Sequence, residues 1–158
     1  MNSLNKDLNH VLILKYRSKE RIIVLDRERY SLGRNPGNDI IIKDKQVSRY
    51  HATIIKRTKN NAQDYFWIYD GNLKDKKSSN GLVVNRRFCQ SHCLRRGDII
   101  LLGNNVKIQY YQFASQTLDL LKSIENQNQS KDLLLKLNDR ELNGVDINRL
   151  TDVVVPTV

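Results

Sequence analysis

An arginine, a serine and a histidine stand at spacings that could do chemistry on a phosphate or on an ester. Arg34 follows Gly33 at the end of one apolar stretch, and Ser48 and His51 open the next. Serine near histidine is typical of a nucleophile with its base, whereas arginine near serine is typical of phosphate binding. The two interpretations predict a hydrolase and a binding module, respectively.

Further along the chain, Ser79, Asn80 and Gly81 form a turn, and Asn85 follows a short strand. A forked cation, hydroxyls, side-chain amides and loop N–H groups, with no carboxylate among them, suit a phosphate ester. The sequence contains neither the G-x-S-x-G of serine hydrolases nor a glycine-rich loop ending in Lys-Ser/Thr. We therefore predict a phosphate-binding module with no catalytic residue, no cofactor and no enzymatic activity.

The elements that must position these residues are predicted to be β-strands throughout the first 112 residues. Short runs rich in Val, Ile, Tyr and Phe alternate with turns such as Asn35-Pro36-Gly37-Asn38. Many short strands without a long helical pattern between them predict an all-β antiparallel sandwich, whose loops gather at the ends of the two sheets. Eight such runs are visible: HVLILKY, RIIVLD, DIIIKD, HATIIKR, YFWIYD, GLVVN, GDIILL and VKIQYYQF.

The order of these motifs resembles the forkhead-associated (FHA) domain family, from about residue 11 to residue 112. The pieces that carry the resemblance are Gly33-Arg34, Asp39-Ile40, Ser48-x-x-His51, Ser79-Asn80-Gly81, Asn85 and LRRGDIILLG at residues 94–103. The resemblance implies an FHA-type (SMAD/FHA-like) eleven-stranded antiparallel β-sandwich that binds phosphothreonine in an extended peptide. The partner would be a phosphothreonine-containing protein or peptide, belonging to a Ser/Thr protein kinase or to its substrate.

The resemblance also assigns roles to five binding residues. Arg34 would hold the phosphate through charge-assisted hydrogen bonds, and Ser48 would donate its hydroxyl to it. Arg49 would contribute its backbone N–H, Ser79 matches a Ser/Thr donor of the family, and Asn80 would hold the peptide backbone. In the family the third residue after the phosphothreonine is read by the loop before Ser48, which here holds Lys45 and Gln46.

Four further residues would support the site. His51 would hold the Ser48 turn in place, and Gly33 and Gly81 would supply backbone conformations closed to residues with a Cβ. Asn85 stands where the family often has Asn-Gly, but here Arg86 follows it.

The charge of the chain favours anionic partners. Residues 1–112 carry a net charge of +12 and residues 113–158 carry −2, and Lys74, Lys76 and Lys77 lie in one loop. Two alternatives to phosphothreonine binding stay open: a basic nucleic-acid-associated protein, and an FHA scaffold that binds its partner independently of phosphate. We expect a cytoplasmic protein with no membrane partner, because no apolar run approaches the length of a membrane helix, and we favour a phosphoprotein partner over nucleic acid.

Two regions are predicted: an FHA domain at residues 8–113 and a C-terminal extension at residues 114–158. Leu118, Leu121 and Ile124 follow a helical spacing, and Ser130 is the predicted N-cap of a second helical segment at residues 130–142. We expect one or two short amphipathic helices on a linker, in a helical or partly disordered tail. Thr117 and Thr151, if phosphorylated, would be candidate ligands for a neighbouring copy or for the same domain.

The segment CQSHC, residues 89–93, allows three interpretations: metal ligands, a disulfide, or two unmodified loop cysteines. A zinc site normally has four ligands, and His10 and His51 are poorly placed to complete one. We therefore predict no metal site, and a disulfide does not fit a reducing cytoplasm.

Overall fold

The computed structural model describes residues 8–60 and 63–125. This part of the chain forms eleven β-strands and one α-helix: β1 (Leu8–Tyr16), β2 (Lys19–Val24), β3 (Arg29–Gly33), β4 (Ile40–Ile41), β5 (Ala52–Thr58), β6 (Asp64–Asp70), β7 (Leu82–Val84), β8 (Arg87–Cys89), β9 (Ser91–Cys93), β10 (Ile99–Leu102), β11 (Val106–Ala114) and α1 (Ser115–Glu125).

The strands form two sheets, which confirms the predicted β-sandwich. A six-stranded sheet has the order β2-β1-β11-β10-β7-β8, and a five-stranded sheet has the order β4-β3-β5-β6-β9. One pair departs from the antiparallel pattern: β3 and β4 are parallel, with Leu32 opposite Ile40 and Gly33 opposite Ile41. The loop between these two strands therefore turns back, so that β4 runs beside β3 in the same direction.

The core lies between the two sheets and follows the two-residue period of the strands. In β6, Phe66 and Ile68 are buried whereas Trp67, between them, is only half-buried. In β1, Leu12 and Leu14 belong to the same buried cluster as Phe66, while Val11 and Ile13 alternate with them and are buried outside this cluster. Alternation of this kind fixes the strand register, because a slip of one residue would turn every core side chain outward.

Three strands carry little apolar signal of their own and depend on their neighbours. β3 starts with Arg29, β8 is Arg-Phe-Cys and β9 is Ser-His-Cys. β8 pairs with β7, and β9 pairs with β6, through three residue pairs each. These strands are absent from the eight runs that composition shows, because backbone pairing rather than side-chain type makes them extended.

The predicted helix after the sandwich is present as α1, whereas the second helical segment, residues 130–142, lies outside the described residues. Thr117 in α1 is only 2% exposed, so a kinase would reach its hydroxyl only after this segment opens, and the Thr117 hypothesis stays a prediction. Thr151 also lies outside the described residues. The chain divides into two compact units, Met1–Asp119 and Leu120–Val158, and the domain limits 8–113 and 114–158 stay a proposal.

Among the described residues, no helix is both long enough and apolar enough to cross a membrane.

Candidate phosphate-binding site

A pocket of about 530 Å³ opens where three loops of the sandwich meet. It brings together four of the five predicted binding residues, from the loops after β3, before β5 and before β7. The residues that line it are Arg34, Asn35, Ser48, Arg49, Tyr50, Lys76, Lys77 and Ser79. Asn80, the fifth predicted residue, is next to Ser79 but is not part of the lining.

Backbone hydrogen bonds fix Arg34 beside the Ser48 loop. The N–H of Arg34 donates to the carbonyl of Ser48 at 3.0 Å, and the N–H of Asn35 donates to the carbonyl of Arg49 at 3.2 Å. The guanidinium of Arg34 is exposed, and no carboxylate of the described residues forms an ion pair with it. The charge of Arg34 is therefore available to an anion in the pocket.

Gly33 permits this close approach of the two loops. A Cβ at position 33 would lie 2.3 Å from the carbonyl oxygen of Arg49 and 2.9 Å from Nδ2 of Asn38. Gly33 is not among the glycines with positive φ, whereas Gly81 has a φ of 74°. The two glycines are thus needed for different reasons, close packing at Gly33 and left-handed backbone at Gly81.

The Ser48 hydroxyl connects two loops of the pocket. The N–H of Ser79 donates to Oγ of Ser48 at 2.8 Å. A hydroxyl has one hydrogen and two acceptor lone pairs, so this bond leaves the hydrogen of Ser48 to be donated elsewhere. The pocket side of Ser48 can therefore present a donor to an anionic oxygen.

His51 bonds to backbone groups on both sides of the pocket rather than to the Ser48 hydroxyl. Nδ1 of His51 accepts from the Ser48 N–H at 3.0 Å, and Nε2 donates to the Gly81 carbonyl at 3.0 Å. This pattern needs the neutral ring with its proton on Nε2. Burial lowers the pKa of His51 below its usual value, although the hydrogen bond to Gly81 acts in the opposite direction.

Asn80 links the same loops at a second point. Its Nδ2 donates to the carbonyl of Gln46 at 2.7 Å, so the loop before Ser48 is joined to the loop before β7. The side chain of Asn80 is exposed and lies beside the pocket.

Asn85 is placed elsewhere. Its Nδ2 donates to the Asp98 carboxylate at 2.8 Å, and its Oδ1 accepts from the Ile99 N–H at 2.9 Å. Asn85 thus connects the β7–β8 turn to the start of β10 and does not line the pocket.

The lysine-rich loop is folded towards the pocket by one asparagine. Oδ1 of Asn72 accepts from the backbone N–H groups of Lys74, Asp75 and Lys76 at 3.0–3.2 Å. This turn brings Lys76 and Lys77 into the pocket lining. Four cations and no carboxylate line the pocket, a distribution that favours a ligand of high negative charge.

Two pocket residues escape prediction from the sequence. Asn35 lies in a turn where asparagine is common for conformational reasons, and its Oδ1 accepts from the Gly37 N–H at 2.8 Å. Tyr50 stands between the two motif residues Arg49 and His51, and it is 40% exposed. In the sequence Tyr50 is visible only as an aromatic residue in a loop, and this does not by itself indicate a pocket wall.

The CQSHC segment shows no metal-binding arrangement in residues 8–60 and 63–125, where no cluster of three His, Cys, Asp or Glu could hold an ion. Cys89 and Cys93 are not joined by a disulfide. Nε2 of His92 lies 2.7 Å from the Asp98 carboxylate, so this ring is already engaged.

Comparison with known proteins identifies the domain. A model of the FHA domain family matches residues 30–103. The protein sll1895 of Synechocystis sp. is 36% identical over 110 residues, which are 70% of this chain and 16% of that protein. The crystal structure of the Slr1951 protein from Synechocystis sp. is 34% identical over 65% of this chain and 96% of its own, with a TM-score of 0.61. The chain belongs to the FHA domain family.

A second similar solved structure concerns FHA domain interactions that depend on phosphothreonine. It comes from a structural and functional analysis of phosphothreonine-dependent FHA domain interactions, and it is 27% identical over 65% of this chain and 95% of its own, with a TM-score of 0.53. Every residue that lines the pocket lies inside the part of the chain that matches the FHA family model. The chain spans only 16% of the length of sll1895, so the FHA resemblance concerns this domain and not that whole protein.

Proposed function

We propose that this FHA domain is a non-enzymatic module that binds phosphothreonine in an extended peptide, in a pathway that depends on a Ser/Thr protein kinase. The observation that carries the proposal is the pocket in which Arg34, Ser48, Arg49 and Ser79 meet without a carboxylate. A phosphoryl group carries about −1.5 to −2 charge at neutral pH and three acceptor oxygens, which match the cations and donors of this pocket.

The contacts of Ser48 and His51 also support binding rather than catalysis. A nucleophilic serine needs a base within hydrogen-bond reach of its hydroxyl, but the ring of His51 bonds to the backbone N–H of Ser48. Oγ of Ser48 bonds to the Ser79 N–H instead. In this proposal His51 therefore holds the loop in place and Ser48 contacts the ligand.

A phosphopeptide library with a fixed phosphothreonine would supply the probe, and isothermal titration of one selected peptide would test the function. We expect micromolar affinity, about −8 kcal/mol, and no measurable binding of the same peptide with unmodified threonine. Arg34→Ala should weaken binding by about 10-fold to 150-fold, because a hydrogen bond to a charged group contributes about 1.5–3 kcal/mol.

Arg21→Ala is the matched control, since Arg21 is an exposed arginine on β2 outside the phosphate pocket. Equal binding of phosphorylated and unmodified peptides would contradict the proposal and would favour the phosphate-independent scaffold. Binding to a random oligonucleotide that falls steeply with salt, with no phosphopeptide bound, would favour the nucleic-acid alternative.

A further inference from the structure

A second pocket lies next to the phosphate pocket and shares a wall with it. Its volume is about 300 Å³, and its lining residues are Arg29, Ser31, Tyr50, Ala52, Thr53, Asn72 and Lys74. Tyr50 lines both pockets. A ligand held in the phosphate pocket can therefore continue past the exposed Tyr50 ring into the second pocket.

The combined charge of the two pockets exceeds what one phosphate can balance. The first pocket is lined by Arg34, Arg49, Lys76 and Lys77, and the second adds Arg29 and Lys74. No Asp or Glu is among the lining residues of either pocket. One phosphothreonine supplies at most about two negative charges, so charge complementarity calls for further anionic groups in the ligand.

The Ser31 and Thr53 hydroxyl groups of the second pocket are already committed to the protein. Oγ of Ser31 donates to the Asp39 carboxylate at 2.7 Å, and Oγ1 of Thr53 donates to the Gly71 carbonyl at 2.8 Å. Each hydroxyl has only one hydrogen. An anion in this pocket would therefore be bound chiefly by Arg29 and Lys74.

Both cations are available for such a contact. Arg29 and Lys74 are exposed, and neither forms an ion pair with a carboxylate in residues 8–60 and 63–125. The Asp39 carboxylate, which accepts from the Ser31 hydroxyl, is already paired with Arg27 at 3.0 Å. Asp75, next to Lys74, accepts a hydrogen bond from Nδ2 of Asn72.

The strand geometry sets the spacing between the two anions. Arg29 begins β3, and Arg34 directly follows its last residue, so their Cα atoms are about 16 Å apart at about 3.3 Å per residue. An extended peptide covers this distance in about five residues, and the long arginine side chains shorten it. The second anion would lie three to five positions from the phosphothreonine.

We propose that the second pocket binds an anionic side chain of the same peptide, a carboxylate or a second phosphate, through Arg29 and Lys74. This inference rests on the proposed function and names the class of its ligand: an acidic segment around the phosphothreonine.

The experiment compares phosphothreonine peptides of one length by isothermal titration at fixed ionic strength. One peptide has neutral flanks. A second has a pair of Glu residues three to five positions before the phosphothreonine, and a third has the pair three to five positions after it. A fourth has a second phosphothreonine three to five positions from the first. Each is tested with the wild type and with Arg29→Ala/Lys74→Ala. The control is Arg21→Ala/Arg57→Ala, which removes the same charge from exposed positions outside both pockets.

We expect at least one anionic peptide to bind about threefold to tenfold more tightly than the neutral one, as for one or two solvent-exposed ion pairs. Arg29→Ala/Lys74→Ala should remove this gain and leave the affinity of the neutral peptide within twofold, while the control double variant keeps the gain. The inference is overturned if no anionic peptide gains affinity, or if both double variants lose the gain equally. Loss of phosphate dependence in the wild type would instead overturn the proposed function itself.

Discussion

The backbone N–H and the hydroxyl of Ser48 have different neighbours, and this decides what the residue can do. Its backbone N–H donates to His51, while its hydroxyl oxygen accepts from the Ser79 N–H. The contact with His51 lies within one loop, whereas the contact with Ser79 joins two loops 31 residues apart, so the hydroxyl oxygen is held in place before a ligand arrives. A donor fixed in advance binds an anion at a lower cost in conformational freedom.

Gly33 offers the sharpest test at the scale of one residue. Gly33→Ala would place a Cβ 2.3 Å from the Arg49 carbonyl oxygen and force the two loops apart, so we expect it to lower the free energy of unfolding by about 1–3 kcal/mol. Phosphopeptide affinity should fall as well, because Arg34 and Arg49 would separate. Urea denaturation and peptide titration measure the two effects.

Gly37→Ala is the control in the same loop. Its Cβ would meet only the side-chain Oδ1 of Asn35, at 3.2 Å, and Gly37 has no positive φ. If Gly33→Ala behaves like Gly37→Ala in both measurements, the close-packing explanation is wrong.

At the scale of elements, the β7–β8 hairpin shows how backbone geometry can override residue preference. The two residues of its turn, Asn85 and Arg86, have φ values of 50° and 66°, the sign that a type I′ turn requires at both positions. Asparagine adopts such values readily, whereas arginine does so at a cost. The bonds of Asn85 to Asp98 and Ile99 hold the turn against β10.

Arg86→Gly should therefore stabilise the domain, by about 0.5–1 kcal/mol, because glycine relieves the cost of the left-handed backbone. Arg87→Gly should have the opposite effect, since Arg87 lies in β8 and glycine weakens a strand. Thermal unfolding of the two variants beside the wild type measures the difference. A lower thermal unfolding midpoint for Arg86→Gly would show that the Arg86 side chain stabilises the domain by more than its left-handed backbone destabilises it.

At the scale of the whole molecule, two buried histidines connect the sandwich to pH. His10 in β1 bonds to the Tyr110 hydroxyl in β11, and its ring packs against Phe66 in the other sheet. Burial lowers the pKa of His10, as it lowers that of His51. Both rings therefore bind a proton less readily in the folded domain than in the unfolded chain.

Stability should consequently fall as the pH decreases from 7.5 to 5. Below the ordinary histidine pKa of about 6.5, the unfolded chain binds more protons than the folded one, so the free energy of unfolding rises with pH in this range. Urea denaturation at several pH values measures the slope. A free energy of unfolding that stays constant over this range would contradict the explanation.

The sequence predicted the sandwich and most of the pocket because both leave local signals. Strands with an apolar face, such as Asp64–Asp70, are visible from composition, and Arg34, Ser48 and Ser79 are marked by ordered motifs. β8 and β9 were not visible as strands, because their extended form comes from pairing with β7 and β6. Tyr50 was not identified either, since nothing local distinguishes a pocket wall from an ordinary exposed aromatic residue.

By itself the sequence determined the fold class, the FHA family and the residue types that could hold a phosphate, since these follow from patterns that neighbouring residues carry. Only the tertiary structure decided that the Ser48 hydroxyl faces Ser79 rather than His51, that Asn85 serves a hairpin instead of the pocket, and that Arg29 and Lys74 line a second pocket beyond Tyr50. The physical reason is distance along the chain. Arg29 and Lys74 are 45 residues apart in sequence, and only strand pairing and loop packing bring such residues to one surface.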